Sequence, residues 1–125
     1  MAIRHVLKGI HHEDIIPISF TNTSTKFNIK FSRDGNSGTI TIPSTNFNTS
    51  QTGPITSTTK IPDNYIPTTQ SAGWIIINGS NGFVSSSIIF NPDGTITMYY
   101  GTSGNNFQSG QIYITMNTQT LSYLI

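Results

Sequence analysis

The sequence predicts an all-β chain: a single antiparallel β-sandwich or barrel of Greek-key or jelly-roll-like type. Three observations carry that expectation. The chain holds 20 Ile and 19 Thr against 3 Leu and 2 Ala, and β-branched side chains favour strands whereas Leu and Ala favour helices. Apolar residues alternate with a period of two from Ile15 onward. Clusters of turn residues recur at intervals of about 8–12 residues through the second half, the spacing of a sandwich or barrel. At 125 residues the chain is long enough for one domain with a real core and too short for two. With no Cys, disulfide staples, thiol catalysis and Cys-ligated zinc are excluded together.

The first segment is the least regular. Ile3, Val6, Leu7 and Ile10 fall on one helical face, but Gly9 inside that stretch weakens a helix by about 1 kcal/mol relative to Ala. The division expected is a short helix or docking arm over residues 1–14 and a β head over 15–125, with an ordinary first strand as the rival for the N-terminal part. Residues 15–21 (IIPISFT) form a strand whose Pro17 lacks an amide donor and so belongs at a sheet edge. KFNIKFSR (26–33) places Phe27, Ile29 and Phe31 on one face, DGNSG supplies a turn, and TITIP (39–43) returns with Ile40 and Ile42 inward. Residues 44–60 form a long connection with a short strand around Ile55. Strands then follow at 72–78, 83–90, 95–101, 110–116 and 120–125, with Asn91-Pro92-Asp93-Gly94 as the strongest turn between them.

Charge narrows the function classes. Only 9% of residues are charged and the net charge is +1, far from what phosphate neutralisation on a nucleic acid needs. All six cations lie in the first 60 residues with three acids, for a net +3, while residues 61–125 hold only Asp63 and Asp93. Solubility therefore rests on Ser, Thr, Asn and Gln, which number 51. Such a surface suits a carbohydrate ligand or tight self-assembly. No apolar run of about 18 residues exists to cross a membrane, and the opening MAIRHVLKGIHHED lacks the apolar stretch of a secretion signal. The sequons at Asn22, Asn48 and Asn78 read as chance in a chain of this composition.

Catalytic sets are hard to assemble. The only histidines are His5, His11 and His12, and no G-x-S-x-G elbow accompanies them. Of the five acids, Asp34, Asp63 and Asp93 sit in turns, and the adjacent Glu13 and Asp14 would point to opposite faces of a strand, which leaves no pair flanking a glycosidic bond. An oligomer could still bring acids together at a subunit seam, as in a polysaccharide depolymerase. His11-His12-Glu13-Asp14 is the densest set of metal-ligand types, but adjacent residues of a regular element cannot converge on one ion. It reads as a solvated polar turn, with a metal inside one chain or an ion on a symmetry axis between three copies as the alternatives. No enzyme activity, metal or cofactor is expected.

The aromatic residues offer the better candidate. Tyr99 stands opposite Ile96, Met98 and Tyr100, and Tyr113 opposite Ile112, Ile114 and Met116. If those two strands pair, Tyr99 and Tyr113 become neighbours on the outer face beside a loop carrying Asn105, Asn106 and Gln108. Exposed rings stack on sugar rings and amides match sugar hydroxyls, so these five residues are the candidate saccharide site. The alternative is that the tyrosines fill an interface or stiffen the sheet. Trp74, in an Ile-rich run, is expected in the core.

IPDNYIP (61–67), followed by WIIINGSNG and SIIFNPDGTITMYYG, resembles the head domains of bacteriophage tail-fibre and baseplate receptor-binding proteins. Pro62, Tyr65 and Pro67 match a proline, turn, tyrosine, proline phrase of that family, and Asp93, Gly94 and Ile96 match its aspartate-glycine turn between strands. The match covers roughly residues 60–101, and Ile66 stands where a basic residue is usual. The resemblance implies a noncatalytic homotrimeric adhesin on the virion, at the tail or baseplate. It would recognise host cell-wall or surface polysaccharide and contact other virion proteins, with no nucleic acid and no membrane insertion. The alternative is a virion structural protein, a capsid decoration or head fibre, without saccharide binding.

Overall fold

The computed structural model describes residues 11–101 and 106–125. Among the described residues ten strands lie in two antiparallel sheets: β1 (His12–Ile18), β2 (Phe27–Asp34), β3 (Ser37–Ile42), β4 (Thr45–Asn48), β5 (Ile55–Thr56), β6 (Ser71–Gly79), β7 (Gly82–Phe90), β8 (Ile96–Met98), β9 (Ile112–Thr115) and β10 (Gln119–Leu124). The helical content among the described residues is one 3-10 turn, Asp63–Tyr65. A four-stranded sheet runs β1-β2-β3-β10, and a curled six-stranded sheet runs β4-β9-β6-β7-β8-β5. All-β architecture is therefore as expected, and Pro17 does lie on an edge strand.

Alternation places the core between the sheets. Phe27, Ile29, Phe31, Ile40 and Ile42 face inward from the first sheet, and Ile75, Ile77, Ile88, Phe90, Ile96 and Met98 from the second, all buried. Each such side chain contributes about 1.5–3 kcal/mol on burial. The β2–β3 hairpin turns through Gly35 and Asn36, with Gly35 at φ 60. In the β7–β8 turn, the Gly94 N–H donates to the Asn91 carbonyl at 2.9 Å, and the Asp93 carboxylate accepts from the Thr95 N–H and hydroxyl at 2.9 and 2.6 Å.

Both seams between the sheets are bridged. Past β1, Phe20 pairs with Ser57, the Thr21 N–H donates to the Thr56 carbonyl, and the Thr58 N–H donates to the Ser19 carbonyl, the last two at 2.8 Å. At the opposite seam, the Gln119 side-chain amide accepts from the Ile76 N–H at 2.7 Å and donates to the Ile76 carbonyl at 2.9 Å. One side chain on β10 thereby completes the hydrogen bonds of β6.

Several expectations need correction. The strand expected from Ile15 begins at His12 and pairs His12 with Arg33, so His12, Glu13 and Asp14 are strand and not a solvated turn. The helix or arm expected for the N-terminus otherwise lies outside the described residues. Strands 95–101 and 110–116 do not pair: β8 lies between β7 and β5, and β9 between β4 and β6. Tyr113 consequently faces the core, and Trp74 does not. The reason in both cases is parity. Ile75 and Ile77 face inward, which forces Trp74 and Ile76 outward, and on β9 the ring of Tyr113 displaces the aliphatic side chains to the outside.

Candidate functional site

The outer face of the six-stranded sheet carries no charged side chain on its strands. Register defines its rows: Trp74 lies opposite Ser87, Ile76 opposite Ser85 and Asn78 opposite Phe83. The Tyr99 N–H donates to the Ser87 carbonyl at 3.1 Å, which extends the first row to Trp74–Ser87–Tyr99, the last just past the end of β8. Strands stand about 4.8 Å apart, so the Trp74 and Tyr99 backbones flank Ser87 at about 10 Å from one another. Along β7 the outward residues Ser85 and Ser87 are small. They form a hydroxyl-bearing floor, with Trp74 and Ile76 on one side and Tyr99 on the other. Trp74 is 55% exposed and Phe83, at one end of the floor, 70%.

The run Ser85-Ser86-Ser87 explains why this floor exists. Ser86 turns inward, where its hydroxyl donates to the Val84 carbonyl at 3.1 Å and accepts from the Gly101 N–H at 3.0 Å. Its buried oxygen is thus satisfied, and Ser85 and Ser87 are left outward with room above them. Tyr100 fixes the far end of the same hairpin from inside, donating to the Gly82 carbonyl and accepting from the Asn81 N–H, both at 2.9 Å.

Of the residues expected to form a site, Tyr99 keeps its place on an outer face, half-buried beside Ser87. Tyr113 is fully buried in an aromatic cluster, with ring centroids 4.8 Å from Phe107 and 4.9 Å from Tyr100. Its hydroxyl accepts the Gln108 N–H at 2.7 Å. Gln108 is exposed and Asn106 half-buried, on a loop that packs over Thr49–Thr52 through the Ser109 hydroxyl donating to the Ser50 carbonyl at 3.0 Å. Asn105 lies outside the described residues. The expected five-residue cluster is therefore not assembled around Tyr99 and Tyr113.

Two polar recesses lie near the β4 edge. One, of about 340 Å³, is lined by Asn22, Thr23, Ser24, Asn48, Thr49 and Ser50. A shallower one, of about 220 Å³, shares Asn48 and reaches Ile112 on the outer face. Amide and hydroxyl residues line the first, and Phe47 and Ile112 join them in the second. No family model matches the chain, and no curated protein is similar to it.

The residues missed in the sequence are Trp74, Ser85 and Ser87. The signal was available in the pairing of GWIIIN with VSSSIIF: once Ile75 and Ile77 are taken as core, Trp74 must oppose the serine run.

Most of the described acidic and basic groups lie on or beside the other sheet. Lys30 Nζ lies 3.2 Å from Glu13 and His11 Nδ1 lies 2.7 Å from Asp34. The Tyr65 hydroxyl donates to Asp14 at 2.6 Å. Burial, and then that carboxylate, push the Tyr65 phenol up to about 12. Among the described residues no group of three His, Asp or Glu side chains is arranged to hold a metal ion.

Proposed function

We propose that the chain is a noncatalytic saccharide-binding head of a bacteriophage particle, acting as a trimer in attachment to a host cell wall. The observation that carries the binding part is the uncharged Trp74–Ser87–Tyr99 row with its Ser85 floor. An exposed indole stacks on the apolar face of a sugar ring, and flanking hydroxyls match its polar edge. The phage setting and the trimer rest on the resemblance of residues 60–101 to tail-fibre and baseplate heads. Weak single sites gain useful avidity when three are presented together.

A second reading is a virion structural protein whose apolar sheet face packs against other particle proteins. What favours it is the exposure of Phe83 and Ile112, at 70% and 68%, on the same face as Trp74.

Co-sedimentation with isolated walls from a panel of Gram-positive bacteria separates the two. Under the adhesin reading, binding is saturable and strain-restricted, and is lost when wall polysaccharide is stripped. Trp74→Ala weakens it at least tenfold, about 1.4 kcal/mol, with unchanged mass by light scattering. If Trp74→Ala instead alters the oligomer, or if no wall binds while assembled particle proteins do, the structural reading replaces it.

A further inference from the structure

The rim of the four-stranded sheet holds an arginine with no carboxylate partner. Arg33 follows Phe27, Ile29 and Phe31 on the inward row of β2, one step past the end of the core, and sits opposite His12 on β1. Its Nε–H donates to the Gly35 carbonyl at 2.6 Å, and Nη1–H to the Asn64 carbonyl at 2.7 Å. A guanidinium has five N–H donors, so three remain on a fork already fixed in orientation. That fork borders a cleft of about 380 Å³ lined by His12, Arg33, Gly35, Asn36 and Asn64.

All five carboxylate side chains of the sequence lie among the described residues, and none comes within 4.0 Å of this guanidinium. Glu13 is taken by Lys30, Asp34 by His11, Asp14 by the Tyr65 hydroxyl and Asp93 by Thr95. Asp63 adjoins Asn64 in the chain without pairing to Arg33. Asp14 lies on the same inward row as His12, opposite Phe31 and two positions back from Arg33.

We infer that this cleft binds an oxyanion, a phosphate or carboxylate carried on a small polar molecule or a polymer. Held by two carbonyls, the planar guanidinium keeps three N–H groups, two of them on Nη2, for the oxygens of such an anion, and it loses little freedom in donating them. His12, Asn36 and Asn64 line the same cleft and carry the further donors available to such an anion. The assignment is independent of the saccharide reading, because the cleft belongs to the other sheet.

The test is an NMR titration of the isotope-labelled full chain with inorganic phosphate and, separately, acetate, at ionic strength held constant with chloride. Expected are saturating shifts at the Arg33 Nε–H and the Asn36 and Asn64 amides, with Arg33→Lys weakening affinity at least tenfold. Because Arg33 also ties two loops, His12→Ala and Asn36→Ala serve as variants that leave its anchors intact. Each should weaken binding two- to fivefold. A phosphate preference identifies a phosphate-bearing ligand, and an acetate preference a uronate-like one. Shifts that never saturate, that chloride reproduces, or that persist unchanged in His12→Ala and Asn36→Ala overturn the assignment.

Discussion

Tyr99, Tyr100 and Tyr113 show how neighbouring residues of one type acquire different roles from strand parity alone. Tyr100 and Tyr113 point inward and meet edge-to-face at 4.9 Å, whereas Tyr99 points outward beside Ser87. Gly79 makes the inner arrangement fit, because a Cβ there would collide with the Tyr113 ring. Tyr113→Ala should therefore cost about 3–5 kcal/mol, the range for deleting a large buried aromatic. Tyr99→Ala should stay within about 0.5 kcal/mol of the parent. Urea unfolding of the two variants measures both, and a Tyr99→Ala loss as large as that of Tyr113→Ala would place Tyr99 in the core. The inward preference of Tyr113 over Ile112 was not readable locally. Both faces of that strand are apolar enough to be buried, and the choice was made by Gly79, Phe47 and Phe107, which are distant in sequence.

Strands and turns differ in how much of their identity is local. The hairpin of β2 and β3 and the turn at Asn91–Gly94 were legible because alternation and turn chemistry agree. Gly94 sits at φ 89, with Ile66 3.3 Å from where its Cβ would be. Gly94→Ala should cost about 1–2 kcal/mol through that backbone strain, read as a lowered midpoint in urea. The tie between β6 and β10 was not legible, because it runs through a side chain and not through a strand ladder. Gln119 gives a partner to both Ile76 peptide groups, beside the Met116 N–H that donates to the Ile76 carbonyl at 3.0 Å, and two residues further on Leu121 packs on Gly73. Gln119→Ala should destabilise by about 1–2 kcal/mol, as hydrogen bonds are lost at a half-buried seam. It should also speed hydrogen exchange at the Ile76 amide while leaving the Ile88 amide protected. Equal protection in parent and variant would mean that the seam is held by other contacts.

For the molecule as a whole, the tyrosines bind the 3-10 turn to both ends of the four-stranded sheet. Tyr65 reaches Asp14 on β1, and the Tyr123 hydroxyl on β10 donates to the Tyr65 carbonyl at 2.7 Å. Burial raises the Tyr123 phenol as well, against a smaller opposing effect of Arg33. A phenol whose folded pKa lies above its unfolded value of 10.0 contributes stability that is full below pH about 10 and is lost as the pH rises toward about 12. The urea midpoint should thus hold steady to about pH 10 and then fall. Phenolate absorbance should reveal a class of tyrosines that ionises only as the fold is lost. Tyr65→Phe should flatten the upper part of that decline, and an unchanged profile in Tyr65→Phe would show that Tyr65 does not govern it.

What the sequence by itself determined was the class of fold and the character of its surface. β-branched composition, two-residue alternation and turn chemistry act between near neighbours, and a chain with so few charges must meet its surroundings through hydroxyls and amides. Only the tertiary structure decided which tyrosine is core, that Trp74 stands over the serines of β7, and that Arg33 is left without a carboxylate at a polar cleft. Those outcomes depend on strand order and on one-residue parity between segments far apart in the chain. A strand carries no local information about which of its two apolar faces its partners will cover.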